Sequence, residues 1–280
     1  MEYKDTIIQT VKEYLDWLDD AAISSVTSVT GNEFDFEHPI LYYRGQNCIK
    51  DLNPGIFRDP FSPGVVEHEM LHKASLHLWK ELSSCSSFLE KLVFLQHYGM
   101  PTRLLDVTFN PLIALYFACN GENDCEGAVY CGFQQSAENE AIAEMTSEYV
   151  FKQPFDYFEK EIGNFAVKKE MALIKFCQPI FILPPINNPR IEHQNGAFIM
   201  APLANRCDND VYLNSAPLDD SGFFSEKRAI IPNICKQSII KDLYKFGINK
   251  GNIYQGILEK IDSIILGEKW ELERYKLNLN

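Results

Sequence analysis

Arginine is scarce in this 280-residue chain. Only seven of its 26 basic residues are Arg (Arg44, Arg58, Arg103, Arg190, Arg206, Arg228 and Arg274), and the other 19 are Lys. Lysine therefore serves as the solubilising cation, and arginine is left for positions that need its planar five-donor geometry. Positive charge is short altogether. Against 39 Asp and Glu the net charge is −13, which excludes a general binder of nucleic acid or anionic membrane, because phosphate contacts need a cation excess. Long apolar runs are missing too. The longest, PLIALYFAC (111–119) and QPIFILPPI (178–186), are too short to cross a bilayer. The opening MEYKDTIIQTVKEYLDWLDD carries an acid every few residues and no apolar signal-peptide core, so the expected location is cytoplasmic. None of the eight cysteines forms a C-x-x-C pair, and Cys119, Cys125 and Cys131 are spaced too widely for a zinc knuckle. Reduced, mostly buried thiols are expected rather than a disulfide frame. A glycine-rich dinucleotide fingerprint, a Walker P-loop and a Gly-x-Ser-x-Gly elbow are all absent.

What is present is an ordinary globular composition, 46% apolar and 23% charged. Ile7, Ile8, Val11, Tyr14, Leu15 and Leu18 recur at helical intervals and predict an amphipathic helix over 4–18, ended by a Ser/Thr/Gly stretch at 24–32. ILYYRG (40–45) reads as a strand and DLNPGIFRDPFSPG (51–64) as an irregular loop. Residues 65–97 read as two helices broken near 83–87. The stretch 110–121 predicts a buried helix capped by Asn110, with Pro111 at its first position and Gly121 beyond its end. Further strands are expected at 127–133, 179–185, 196–202 and 228–232, and helices over 136–176 and 233–246, the last ended by Gly247. Strands and helices mix without a βαβ rhythm. The predicted fold is α+β, a single mixed domain whose central, mainly antiparallel sheet is flanked by helices. Residues 1–37 are divided off as a helical extension, 38–266 as the domain and 267–280 as a tail.

Two segments invite a chemical reading. His68-Glu69-Met70-Leu71-His72 matches the zincin pattern, in which both histidines share a helical face with Glu69 as base. Ser75 and Leu78 stand where the longer version needs Gly and His, however. The string is read as an amphipathic helix burying Val66, Met70, Leu71 and Leu78, and no metal is expected. In Leu95–Thr108 a polar set (Gln96, His97, Thr102, Arg103, Asp106, Thr108) is threaded between apolar residues. Buried polar groups must be paired, so Asp106 is expected to accept from Arg103 or Arg44, either in a structural knot or in a pocket wall.

The string LQHYGMPTRLLDVTFNPLIALYFAC (95–119) resembles the central segment of the FRG domain, a family named for an aromatic-Arg-Gly motif that stands at Tyr43-Arg44-Gly45, followed by Gln46. DLNPGIFR (51–58), GAVY (127–130), Arg190 to Phe198 and 229–248 resemble its other segments in order, so that the likeness covers about 38–266. The stretch 252–258 departs from the family's aromatic-Pro-Asp-Leu turn. The family's setting implies a phage-defence or mobile-element role. A strand opening on aromatic-Arg-Gly is also similar, more distantly, to the first strand of ADP-ribosyltransferases, which implies NAD as the nucleotide ligand.

On that likeness Arg44 and Arg190 hold phosphates and Gln194 or Thr102 binds ribose, with Gln46, His97 and Arg103 beside them. Glycine at 45 would let the ligand approach the backbone. The position of the transferases' catalytic Glu is Arg228, which opposes an oxocarbenium-like transition state and leaves Glu226, Glu192 or Asp106 to supply the carboxylate. The partner implied is a nucleotide or small anion, with an unknown protein partner also open. Two other readings stand beside this one. In the first the polar residues form the buried network of a non-catalytic interaction or sensor module. In the second, nucleic-acid processing rests on six basic residues against one acid in 227–250, a local charge of +5.

Overall fold

The structure is a computed structural model that describes residues 3–30, 40–58, 61, 65–121, 124–134, 140–152, 178–184, 189–202, 205–207, 210–212, 223–254 and 256–278. Calls on 31–39, 153–177 and 279–280, including most of the helix expected over 136–176, lie outside the described residues. The strands are β1 (Lys4–Ile7), β2 (Ile40–Gln46), β3 (Leu104–Thr108), β4 (Gly127–Gln134), β5 (Ile180–Ile182), β6 (Gly196–Met200), β7 (Asn205–Cys207), β8 (Asp210–Tyr212) and β9 (Phe224–Ile231). Seven form one sheet in the order β1-β9-β4-β2-β3-β6-β5, while β7 and β8 pair separately. Every neighbouring pair in the large sheet is antiparallel except β1 with β9. The α+β reading with a mainly antiparallel sheet therefore holds.

The helices are α1 (Val11–Thr30), α2 (Val65–His77), α3 (Trp79–Leu82), α4 (Phe88–His97), α5 (Pro111–Cys119), α6 (Glu140–Lys152), α7 (Pro189–His193), α8 (Lys236–Lys245), α9 (Lys250–Tyr254) and α10 (Ile257–Asn278). Two helical groups cover the same face of the sheet. Tyr43 and its register partner Thr108 share that face, and alternation along each strand carries it outward. Over β9, β4 and β2, the apolar residues Val11, Tyr14, Leu115 and Ile239 of α1, α5 and α8 bury Tyr43, Val129 and Cys131. Over β3, β6 and β5, residues of α2, α4 and α6 such as Leu71, Leu92 and Phe151 bury Leu104, Phe198 and Met200. The opposite face carries Tyr42, Leu105, Tyr130, Phe181 and Ile199. A crevice is left between the two helical groups.

The first helix is the main departure. Lys4–Ile7 is not helical but a parallel edge strand in register with Lys227–Ile230, and Ile8 N–H continues the pairing to the Ile230 carbonyl at 2.8 Å. Thr10 then starts the helix. Its Oγ1 accepts from Glu13 N–H at 3.2 Å, and the Glu13 carboxylate reaches back to Gln9 N–H at 2.8 Å. This is a capping box with its return bond made one residue early, at Gln9 rather than at Thr10, and it places the boundary just before Val11. The helix runs beyond residue 18 to Thr30, inside the Ser/Thr/Gly stretch expected to end it. The segment divided off as an extension thus supplies an edge strand and buried core residues Tyr14 and Trp17. At the other end 267–278 continues α10, and Gly267 packs against Tyr244, whose hydroxyl would lie 2.2 Å from an added Cβ.

The expectation of reduced thiols is overturned at one pair. Cys48 and Cys125 form a disulfide, with Cα atoms 5.4 Å apart across 77 residues. The β2–β4 ladder explains it: pairing ends with Gln46 opposite Ala128, so the residues just beyond both strand ends meet. Cys85, Cys119, Cys131 and Cys235 are free.

Candidate functional site

Strands β2 and β3 are neighbours, yet among the described residues only Tyr43 and Thr108 are paired between them. Beyond that pair the strands diverge. Arg103 and Phe109 direct their main-chain bonds to β6 and its flanking residues, so by alternation the Asp106 carbonyl faces the gap. The Arg44 guanidinium donates to it through Nη1 and fills the missing rung of the ladder. The split widens into a cavity of about 360 Å³, within the range of small-molecule sites.

The cavity wall is built from both halves of the fold. Strand β2 and the turn after it supply Arg44, Gln46, Cys48 and Lys50, and Arg58 enters from the following loop. Strand β3 supplies Asp106 and Thr108. The crevice between the helical groups supplies Phe117 of α5, Arg190 and Gln194 from α7 and its end, and Tyr254 of α9. Asn195, at φ 44°, takes the left-handed conformation that ends α7 and turns the chain into β6. Thr108 Oγ1 fixes that turn by donating to the Gln194 carbonyl at 2.6 Å.

Charge in the cavity is one-sided. Arg44, Arg58, Arg190 and Lys50 face the single acid Asp106 among its lining residues. Burial lowers the Arg44 pKa to about 10, Asp106 pulls it partly back and Arg58 pushes it down further. Arg58 is lowered by burial in the same way. These are desolvated cations without a full complement of counter-charge. Among the described residues the buried Nε of Arg44 and Nε2 of Gln194 have no hydrogen-bond partner, and the Asp106 carboxylate takes no hydrogen bond. Buried donors of this kind are ordinarily satisfied. Arg190 lies over the Tyr254 ring at 5.5 Å and donates to the His97 carbonyl at 3.4 Å. His97 lines an adjoining recess with Arg190 and Gln194, and burial followed by the Arg190 charge lowers its pKa.

Of the residues singled out in the sequence, Arg44, Gln46, Asp106, Arg190 and Gln194 line the cavity and His97 borders it. Thr102 and Arg103 do not. Arg103 is 1% exposed, and its Nε and Nη2 both pair with the equally buried Glu67 of α2, while Nη1 donates to the Ala201 and Pro202 carbonyls. Its partner is therefore Glu67, not Asp106. Thr102 donates to Gln96. Two of the three candidate acids also fall elsewhere: Glu226 pairs with Lys4 at the sheet edge, and Glu192 is exposed on α7.

Arg228 is held apart from the cavity. It forms a two-pronged pair with Asp5, reaches the Tyr130 hydroxyl and lies 4.6 Å over the Tyr3 ring. Gly45 serves packing rather than ligand approach, because an added Cβ would stand 1.8 Å from the Ala114 carbonyl oxygen of α5. His68 commits Nδ1 to the Val150 carbonyl at 3.0 Å, and no group of three metal-ligating side chains occurs among the described residues. No helix among them is long and apolar enough to cross a membrane. Of the six basic residues in 227–250, Lys227, Arg228, Lys245 and Lys250 are ion-paired and Lys236 is buried on the Asn47 carbonyl.

Sequence reasoning missed Lys50, Phe117 and Tyr254, and it noted Arg58 without placing it at the site. For Arg58 the signal was its position among the few arginines. Tyr254 lies in the stretch that departs from the family pattern and carried no signal.

Residues 39–126 match the model of the FRG domain. The chain carries an FRG domain. The matched span holds β2, the 51–58 loop, α2 to α5 and β3, and it ends one residue before β4. The FRG span thus provides Arg44, Arg58 and Asp106, whereas Arg190, Gln194 and Tyr254 come from beyond it. No curated protein and no solved structure matches the chain.

Proposed function

We propose that the cavity beside the FRG motif binds a phosphate-bearing nucleotide, with NAD as the candidate. One observation carries this reading: three of the seven arginines converge on one cavity together with buried donors that find no partner among the described residues. A guanidinium holds a phosphate through two parallel hydrogen bonds, and a phosphate would relieve the desolvated charges of Arg44 and Arg58. Asp106 offers an acceptor for a ribose hydroxyl. If NAD is also cleaved, the bond between C1′ and the nicotinamide nitrogen breaks and nicotinamide leaves with the electron pair. An acceptor nucleophile then adds at C1′. The developing positive charge needs a carboxylate, and Asp106 is the acid that lines the cavity.

Calorimetric titration with NAD, coupled to chromatography for released nicotinamide, tests the proposal. Binding is expected in the micromolar to millimolar range typical of enzyme substrates, on the order of 1 μM to 1 mM, and weakened about tenfold or more by Arg58→Ala. Absence of binding up to several millimolar would overturn it. Release abolished by Asp106→Asn with binding retained would assign the carboxylate to catalysis. The non-catalytic reading is favoured by a different observation, the Glu67–Arg103 and Thr102–Gln96 bonds, and applies to that part of the molecule.

A further inference from the structure

We propose that the Cys48–Cys125 disulfide is a redox lock on the wall of the cavity. The lock stands on geometry, and its consequence for binding rests on the nucleotide reading above. Cys48 is 8% exposed and lines the cavity two residues after β2 ends. The chain from Asn47 to Pro54 has no helix or strand of its own. From Leu52 onward it is anchored, by the fully buried Leu52 in the core and by Arg58 Nε donating to the Asn53 carbonyl at 2.8 Å, whereas the ties of Asn47–Lys50 include the bond to Cys125, the buried Lys236 ammonium on the Asn47 carbonyl, and a long 3.4 Å bond from Lys50 N–H to the Gln46 side chain. Opening the disulfide removes the covalent tie and leaves a segment that carries Lys50 on the cavity rim.

The chemistry favours attack from outside. Cys125 is part-exposed while Cys48 is buried, so a thiolate of a dithiol reductant attacks the Cys125 sulfur, and the S–S bond breaks with Cys48 leaving as thiolate. The second thiol of the reductant then attacks the mixed disulfide and releases Cys125. The reductant becomes a disulfide, and the pair takes up two electrons and two protons. Cys48 shares its cavity with Lys50, Arg44 and Arg58, and a cationic surrounding makes a thiol a better leaving group. A bound anion neutralises that field, so anion binding and the oxidised state stabilise each other by linkage.

The test uses the full chain purified without reductant. Alkylation and peptide mapping are expected to show Cys48 and Cys125 cross-linked, with dithiothreitol converting both to alkylated thiols. After reduction, far-ultraviolet circular dichroism should be retained while amide exchange at residues 47–50 quickens about tenfold or more. NAD affinity should fall about tenfold because the wall is no longer preorganised. Saturating NAD should slow the reduction. Cys48→Ser with Cys125→Ser should show reduced-state exchange whether or not dithiothreitol is present. Unbonded cysteines in the untreated protein, or exchange unchanged by reduction, would overturn the lock. If NAD binds neither form, the nucleotide reading fails, and amide exchange still decides the lock.

Discussion

Arg103 stands just before strand β3 and Arg44 within strand β2, both inside segments that identify the FRG domain, and they meet opposite fates. Arg103 lies in the core with its donors divided between one carboxylate and two carbonyls. Arg44 has one carbonyl, a buried Nε with no partner among the described residues, and a cavity in front of it. A guanidinium whose donors are filled by the protein is a brace, while one with open donors is a receptor. The inventory of partners separates the two, and their sequence surroundings do not.

The largest expected effect falls on the brace. Glu67→Ala leaves Arg103 charged, buried and unpaired, and should lower unfolding stability by about 3–5 kcal/mol in urea denaturation. Replacing both partners, Glu67→Leu with Arg103→Met, should recover much of that loss. If Glu67→Ala is near neutral, the distinction between the arginines collapses. Next comes Arg44→Lys, which keeps the charge but loses the fork. NAD affinity should fall about 10- to 100-fold, as for loss of a two-pronged phosphate contact, with stability changed by less than about 1 kcal/mol. A large loss of stability instead would class Arg44 with Arg103.

Arg228 is the intermediate case, since its guanidinium is filled but its partner Asp5 is 43% exposed. Arg228→Lys should cost about 0–1 kcal/mol of stability and leave NAD affinity unchanged. The smallest effect concerns pH. The His97 pKa is depressed below its ordinary 6.5, so below that value the unfolded chain takes up the proton more readily. The stability that neutral His97 contributes is present above pH 6.5 and lost as pH falls through the folded pKa. Stability of His97→Gln should therefore fall less steeply than wild type on acidification below pH 6.5.

Much of the fold was legible because its signals are local. ILYYRG became β2, and Asn110 caps α5 by accepting from Leu112 and Ile113 N–H, as its place before Pro111 implied. Gly247 ends the turn after α8 at φ 75°. What was not legible depends on distant partners. Lys4–Ile7 has spacing that also suits a helix, and its pairing partner lies more than 200 residues on. The Thr10-x-x-Glu13 capping box was a local sign that it was no helix. Glu67 offered another sign: it shares a helical stripe with Leu71 and Ala74, both buried, and an acid on an apolar stripe calls for a buried cation. The Cys48–Cys125 bond offered none, because their meeting depends on how β2 and β4 are aligned. Half of the cavity wall was readable because its arginines are rare and sit in the family segments. Tyr254 and Phe117 reach it only through helix packing.

The parallel pairing of β1 with β9 also sets an order of assembly. A ribosome delivers residues 4–7 before residues 224–231, which among the described residues are their neighbour in the large sheet. Through most of synthesis α1 and its strand therefore have a partial docking surface at most, while the β2–β4 pair and the β3–β6 pair can already form. A chain released before β9 would keep the FRG-matched span and lose both β9 and the seat of β1, exposing the edge of β4, a site for mispairing with other chains. Strand β1 is made long before β9 and finds its place only after it.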